Sequence, residues 1–180
     1  MATRKKIQPI EDGAESFFSG IIDDIPPERL SSLIVIGIKT RGEYLGKRLV
    51  ERISERTGKD VTFGTIDITL YRDDFENRKN WPQLRKTSIP DDVQGKNIIL
   101  VDDVLYTGRT VRAAINSIMD YGRPASVKLA VLVDRGGREL PVQPDYSGIS
   151  IETLDDEMVN VYLEEVDGRE EIEITRKDAV

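Results

Sequence analysis

The chain predicts an α/β fold with a parallel sheet at its centre, on three observations. Ile98-Ile99-Leu100-Val101 is four apolar residues in a row, as in a strand covered on both faces; a strand wet on one face would alternate with polar residues. A polar turn, Thr107-Gly108-Arg109-Thr110, then leads to Val111, Ala114, Ile115, Ile118 and Met119 at helical spacing. The same strand, turn and helix order occurs earlier, where the apolar run 33–36 is followed by Gly37-Ile38-Lys39-Thr40-Arg41-Gly42 and then by Leu45, Leu49 and Ile53. Repeated strand–helix units of this kind build parallel sheets.

In chain order, Phe17, Phe18, Ile21, Ile22 and Ile25 share one helical face that Pro26-Pro27 ends, which predicts a packing helix. The strand at 33–36 and its helix follow, and a third strand is expected over 61–70. Residues 71–94 are a long polar stretch with both charge signs, Trp81-Pro82 and Ile89-Pro90; such loops are functional lids or disordered segments. The strand at 97–101 and its helix, ended by Gly122, precede a strand over 127–133. Asp134-Arg135-Gly136-Gly137-Arg138-Glu139-Leu140-Pro141 is the loop that closes this unit. Val159, Val161 and Leu163, then Ile172 and Ile174, alternate as strand faces. No repeat or linker divides the sequence, so residues 1–180 are expected to form one domain.

Composition narrows the chemistry. With 38% hydrophobic and 33% charged residues, the chain suits a globular class. It has no apolar run near the ~18 residues of a membrane span, and Met1-Ala2-Thr3-Arg4-Lys5-Lys6 lacks a signal-peptide core, so the expected location is the cytoplasm. There is no Cys and no His, which removes disulfides, thiolate nucleophiles, thiolate or imidazole metal sites and the usual His general base. Carboxylates, Lys, Arg, hydroxyls and backbone groups remain, and Mg²⁺ is the natural ion for oxygen ligands and phosphates. A net charge of −7 argues against broad nonspecific nucleic-acid binding.

Asp102 and Asp103 are expected at the carboxyl end of their strand, where open α/β sheets bind ligands. The turn after them opens a helix, whose N–H groups and dipole favour an anion. Gly108 lets the backbone close on phosphate oxygens, Thr107 and Thr110 offer hydroxyls and Arg109 offers charge. Carboxylates for hydroxyls at one end and a nest for phosphate at the other match a phosphorylated ribose. Three blander readings compete. Asp-Asp could be an N-cap with a solvated neighbour. A Walker-B strand would need a Gly-x-x-x-x-Gly-Lys-Ser/Thr partner, and the nearest candidate, Gly42-Glu43-Tyr44-Leu45-Gly46-Lys47-Arg48, is one residue short and lacks the hydroxyl. A receiver domain carries its acid pair after the first strand, whereas nearly a hundred residues precede this one. Lys39-Thr40-Arg41-Gly42 could be a solvated connection, but beside the Asp-Asp strand it reads as a second phosphate turn.

Residues 98–110 resemble the phosphoribosyl-diphosphate signature of type I phosphoribosyltransferases. Longer stretches, 37–42, 66–74, 101–112 and 132–141, are similar to the family of bifunctional pyrimidine-operon regulators and uracil phosphoribosyltransferases, over about residues 34–166. The resemblance implies a type I phosphoribosyltransferase core with helices on both faces and a small hood over 134–180. It implies synthesis of UMP and diphosphate from uracil and 5-phosphoribosyl 1-diphosphate. Asp102 and Asp103 would hold the ribose hydroxyls, and Val104, Leu105 and Tyr106 would lead to Thr107, Gly108, Arg109 and Thr110 around the 5′-phosphate. Lys39, Thr40 and Arg41 would grip the diphosphate, with an unusual peptide near Lys39 or Thr40. Arg72, Asp73 and the stretch after them, with Arg85, would form a closing lid over 71–94. Arg135 and Val159 would belong to the hood over uracil. Asp102, Asp103, Arg41 and Arg72 are thus the candidate catalytic residues. Mg²⁺ would be bound mainly through the substrate; Asp145 matches an acidic position that some relatives use near the metal, or is a turn residue after Pro144.

The same resemblance implies a second role, uridine-nucleotide-dependent binding of a pyrimidine-operon mRNA leader, and a homodimer or higher homo-oligomer. This sequence supports the RNA role less: residues 7–28 contain no Lys or Arg, and Gly137 stands where the family carries His, leaving Arg135 and Arg138. A noncatalytic phosphoribosyl sensor would lack the lid or the diphosphate turn, and a purine as acceptor base is the rival within the enzyme class.

Overall fold

The computed structural model describes residues 3–68, 87–90, 92–154 and 156–176. Its elements are β1 (Thr3–Gln8), α1 (Glu11–Asp23), a 3₁₀ turn (Pro27–Ser32), β2 (Leu33–Ile38), α2 (Arg41–Thr57), β3 (Thr62–Ile66), β4 (Asn97–Leu105), α3 (Arg109–Met119), β5 (Ser126–Asp134), β6 (Tyr146–Ser150), β7 (Glu157–Tyr162), α4 (Glu164–Asp167) and β8 (Glu171–Arg176). Five strands form a sheet in the order β3-β2-β4-β5-β6, every pair parallel. A second, antiparallel sheet has the order β1-β8-β7.

Alternation along the central strands sends side chains to two cores. Val35, Ile99, Val101, Ala130 and Leu132 pack with Phe17, Phe18 and Ile21 of α1 and Leu45, Leu49 and Ile53 of α2. Ile34, Ile36, Ile98, Leu100, Leu129 and Val131 pack on the opposite face with Val111, Ala114 and Ile118 of α3. Both faces are therefore dry, which is why the strands read as unbroken apolar runs. Val161, Leu163 and Ile172 carry the first core into the small sheet.

Several boundaries differ from expectation. β3 ends at Ile66 rather than 70, while β2, β4 and β5 run longer than their apolar runs. β1, the 3₁₀ turn and β6 carry no apolar run of their own and were not foreseen; β1 and β6 are edge strands that borrow their pairing from a neighbour. Of the lid expected over 71–94, residues 71–86 and 91 lie outside the described residues. The remainder is packed: Ile89 and Val93 are buried in the second core. Thr65 and Ser88 exchange two backbone hydrogen bonds of 2.8 Å, and the Asp67 N–H donates to Thr87 Oγ1 at 3.1 Å.

β2 and β4 stay paired only as far as Gly37 opposite Val101, while β4 continues against β5 to Leu105 opposite Asp134. Asp102 and Asp103, expected to end their strand, therefore lie inside the carboxyl-terminal half of β4, which continues to Leu105. Their place in the crevice comes from β2 ending first. The helices that follow these two strands, α2 and α3, pack on opposite faces, and this divergence is where open α/β sheets part to admit a ligand.

The arginines of α2 fasten the surrounding elements to it. Arg48 donates to Glu165 at 2.8 Å and to Glu170 at 2.5 Å, Arg52 pairs with Glu15 at 2.6 Å and Arg56 with Asp23 at 2.5 Å. The Arg48 hydrogen bonds hold the Glu165 carboxyl below its ordinary value. A carboxyl whose folded pKa lies below its unfolded one contributes its full stability above the unfolded value, about pH 4.3, and loses it as the pH falls through the folded value. Arg48→Ala should cost about 1 kcal/mol, the scale of two partly exposed pairs. It should also flatten the decline of the urea midpoint below about pH 4.5. Parallel declines in both proteins would show that these pairs carry no pH-dependent stability.

Candidate active site

At the β2–β4 divergence lies a cleft of about 170 Å³ lined by Thr40, Arg41, Asp102, Asp103, Val104, Thr110, Val159, Asn160 and Val161. Thr40 and Arg41 begin α2, and two glycines allow that helix to start against β4. A Cβ on Gly42 would lie 2.5 Å from the Val101 carbonyl oxygen and 3.0 Å from Asp102 Cα, and one on Gly37 would lie 2.5 Å from the Gly42 oxygen. The Lys39–Thr40 peptide is cis, where the resemblance implied an unusual bond. The Lys39 N–H donates to Ile66 O at 2.9 Å, and its side chain is not among those lining the cleft.

Asp102 is 6% exposed, and its Oδ1 accepts the Asp103 N–H at 2.9 Å. The Asp103 carboxylate has no hydrogen-bond partner among the described residues. Arg41 donates from Nε to Asp167 Oδ2 at 3.1 Å and from Nη2 to Oδ1 at 2.8 Å. These bonds, with the nearby Asp103 charge, raise the Arg41 pKa, and they hold the Asp167 carboxyl below the usual range.

Of the expected phosphate turn, Thr110 lines the cleft and Val104 stands beside it. Gly108 caps α3 with φ +92°, a left-handed conformation that favours glycine, and no acid occupies the first turn of that helix. Thr107 O accepts the N–H groups of Glu139 and Leu140, both at 3.0 Å. Arg138 reinforces this brace, donating to Tyr106 O at 3.0 Å, Val142 O at 2.9 Å and Asp134 Oδ1 at 2.7 Å. The loop after β5 thus fixes the turn from outside.

Other expected residues are placed elsewhere. Leu105 is core, and the half-exposed Arg109 points its Nε at Glu139 Oε2, 2.7 Å away. Arg135 is buried at 8% exposure, donates to Glu157 O at 2.9 Å and stacks 3.8 Å over the Tyr106 ring, so it knits the hood together and does not line the cleft. Asp145 accepts the Leu129 N–H at 2.8 Å just before β6 begins, at the end of that strand away from the strand tips, so the turn reading fits it and the metal reading does not. Arg72 and Arg85 lie outside the described residues. Asn160, Val161 and Asp167 were missed; an alternating apolar strand and a short acidic helix carry no chemical signature in sequence.

Among the described residues no group of three or more acids gathers to hold a metal. Two adjacent carboxylates in a polar cleft suit a hard ion whose other ligands arrive with a phosphorylated substrate.

A family model described as the phosphoribosyl transferase domain matches residues 4–165. The chain belongs to that family. Proteins named Bifunctional protein PyrR are similar along most of it. The one from Elusimicrobium minutum is 50% identical over 148 residues, covering 82% of this chain and 83% of its own. Bifunctional protein PyrR 1 from Lactiplantibacillus plantarum is 53% identical over 149 residues, covering 82% and 83%. Among solved structures, a hypoxanthine phosphoribosyl transferase of Trypanosoma cruzi aligns with TM-score 0.70 at 21% identity, over 96% of this chain and 92% of its own. One from Staphylococcus aureus aligns with TM-score 0.68 at 18% identity, over 97% and 94%. The family's fold is thus the one seen here, a type I phosphoribosyltransferase core with helices on both faces. Among the described residues no helix is long and apolar enough to cross a membrane.

Proposed function

We propose that this phosphoribosyltransferase domain makes UMP and diphosphate from uracil and 5-phosphoribosyl 1-diphosphate. The observation that carries the reading is one cleft joining Asp102 and Asp103, Thr110 at the start of α3 and Arg41 at the start of α2. The two carboxylates accept hydrogen bonds from the ribose hydroxyls, while Thr110 and the opening N–H groups of α3 take the 5′-phosphate. As the bond from C1′ to the diphosphate oxygen breaks, positive charge grows on the ribose and negative charge on the leaving group. Arg41, with Lys39 on the same turn, stabilises that negative charge. Asp102 and Asp103 would help hold a Mg²⁺ ion brought with the substrate, which would supply further charge neutralisation of the leaving group. Uracil N1 bonds to C1′ from the side of Val159, Asn160 and Val161 as the diphosphate leaves, its N1 proton passing to the released diphosphate or to water, and positioning does most of the work. The lid expected over 71–94, with Arg72 and Arg85 outside the described residues, would keep water from the activated sugar.

The direct test incubates the protein with phosphoribosyl diphosphate, Mg²⁺ and each nucleobase in turn. UMP formed from uracil is the expected product; nucleotide formed only from hypoxanthine or guanine would overturn the base assignment. Arg41→Ala should raise the KM for phosphoribosyl diphosphate about 10- to 100-fold, the loss of a charge-assisted contact, while UMP affinity changes little because UMP has no diphosphate. Lys39→Ala should act in the same direction. Equal losses for both ligands would refute the placement.

The second reading is a UMP-dependent regulator that binds a pyrimidine-operon mRNA leader, supported by the word bifunctional in the relatives' names. It ranks after transfer because residues 7–28 carry no Lys or Arg and several arginines elsewhere are engaged within the fold. Arg48, Arg52 and Arg56 each face an acid, and Arg135 and Arg138 turn inward. A gel shift with leader RNA decides: saturable, UMP-stimulated binding establishes the role, and its absence leaves the transferase alone.

A further inference from the structure

Among the described residues, Arg41 is the one cation that lines the cleft. It stands on the first turn of α2, where a long side chain has about 2 kcal/mol of rotamer freedom to lose before it can serve a ligand. The residue that removes this freedom is far away in sequence. Asp167, 126 residues on, engages Nε and Nη2 together in a two-bond fork, a geometry that fixes the guanidinium plane as well as its position. The Arg41 and Asp167 side chains are 30% and 16% exposed, so the pair is shielded from much of the solvent. The Tyr162 ring centroid lies 5.7 Å from the guanidinium carbon. Nη1 is left without a hydrogen-bond partner among the described residues, which keeps donors available for an arriving anion.

Asp167 is itself fixed. Its Oδ2 accepts the Leu163 N–H at 2.9 Å, and its own N–H donates to Leu163 O at 2.8 Å. Leu163 is fully buried and directly follows β7, whose Val159, Asn160 and Val161 help line the cleft. One carboxylate therefore bonds both the cation at the start of α2 and Leu163, the residue that follows β7.

We propose that Asp167 is a positioning residue for phosphoribosyl diphosphate: it presets the Arg41 guanidinium for the diphosphate and ties it to the segment that follows β7. The inference rests on Arg41 being the cation that meets the diphosphate. It opposes the alternative in which Asp167 competes with the ligand for Arg41. Preorganisation lowers the ordering cost of binding, whereas competition would raise it.

Asp167→Asn separates the two. The amide oxygen can still accept from Leu163 and from Arg41 Nε, but the amide NH₂ meets Arg41 Nη2 donor to donor and the charge is gone. The expected result is a roughly tenfold higher KM for phosphoribosyl diphosphate, with kcat and UMP affinity within about twofold of the parent, because one charge-assisted bond to Arg41 is lost. In the Arg41→Ala background the same substitution should add nothing further, as expected for two residues acting as one unit. An unchanged or lower KM in Asp167→Asn, or additive losses in the double variant, would overturn the proposal while leaving Arg41 in place. If Arg41→Ala alone leaves the KM unchanged, the Arg41 assignment fails, and the role of Asp167 with it.

Discussion

Asp102→Asn combined with Asp103→Asn is expected to lower kcat/KM for UMP synthesis by about 10²- to 10⁴-fold. Each carboxylate would accept charge-assisted hydrogen bonds from ribose hydroxyls, worth about 1.5–3 kcal/mol apiece, so losing two removes about 3–6 kcal/mol. The loss should fall on kcat as well as on KM. Positive charge accumulates on the ribose as the diphosphate departs, and negative groups beside the ring gain strength at that moment. The fold should survive. Asn matches Asp in shape, and the amide oxygen that Asp102→Asn introduces can keep the bond that Asp102 Oδ1 now makes with the backbone N–H of the next residue. Neither carboxylate faces an apolar core, since both line the cleft. Steady-state kinetics alongside circular dichroism checks this. Native spectra with unchanged turnover would show that the acids are not the ribose grip.

Gly42→Ala should be strongly damaging for a single methyl group. The added carbon would sit 2.5 Å from the Val101 carbonyl oxygen and 3.0 Å from Asp102 Cα, both backbone atoms of the central strand. No flexible side-chain end can move aside, so α2 must lift from β4. Overpacking of this kind costs about 1–3 kcal/mol, and a clash with backbone belongs at the upper end. For a chain of this size about 3 kcal/mol lowers Tm by roughly 6–12 °C. Function should suffer more than stability, because Thr40 and Arg41 move with the helix. Gly20→Ala is the matched control: it lies in α1 with nothing within 4 Å of the added carbon. It should stabilise by about 0.5–1 kcal/mol, as alanine does for glycine in a helix. Equal melting temperatures for the two variants would refute the close-packing argument.

Much of the fold was legible because burial on both faces leaves a plain trace. Residues 33–36, 98–101 and 127–133 read as strands since the central sheet is dry on either side. Leu45, Leu49 and Ile53, and Val111, Ala114 and Ile118, read as helix faces since each helix covers one side of that sheet. The paired acids and Thr107-Gly108-Arg109-Thr110 stood out because two carboxylates and a glycine-containing hydroxyl and cation turn lie within a few residues of one another. Two of the edge strands, β1 and β6, were silent. In β1 and β6 the pairing partner decides the structure, and no local apolar period announces it.

Sequence alone determined the sheet's central strands, the helices on its two faces, the carboxylate pair and the two polar turns, because these are set by local periodicity and by chemistry at short spacing. Tertiary structure decided the rest. It put Asp102 and Asp103 in a crevice by ending β2 before β4, turned Arg135 and Arg138 from ligand candidates into braces, and set Asp167 on Arg41 across 126 residues. Those outcomes depend on which strand stops first and which distant segment folds back, and such long-range geometry leaves no mark on the neighbouring sequence.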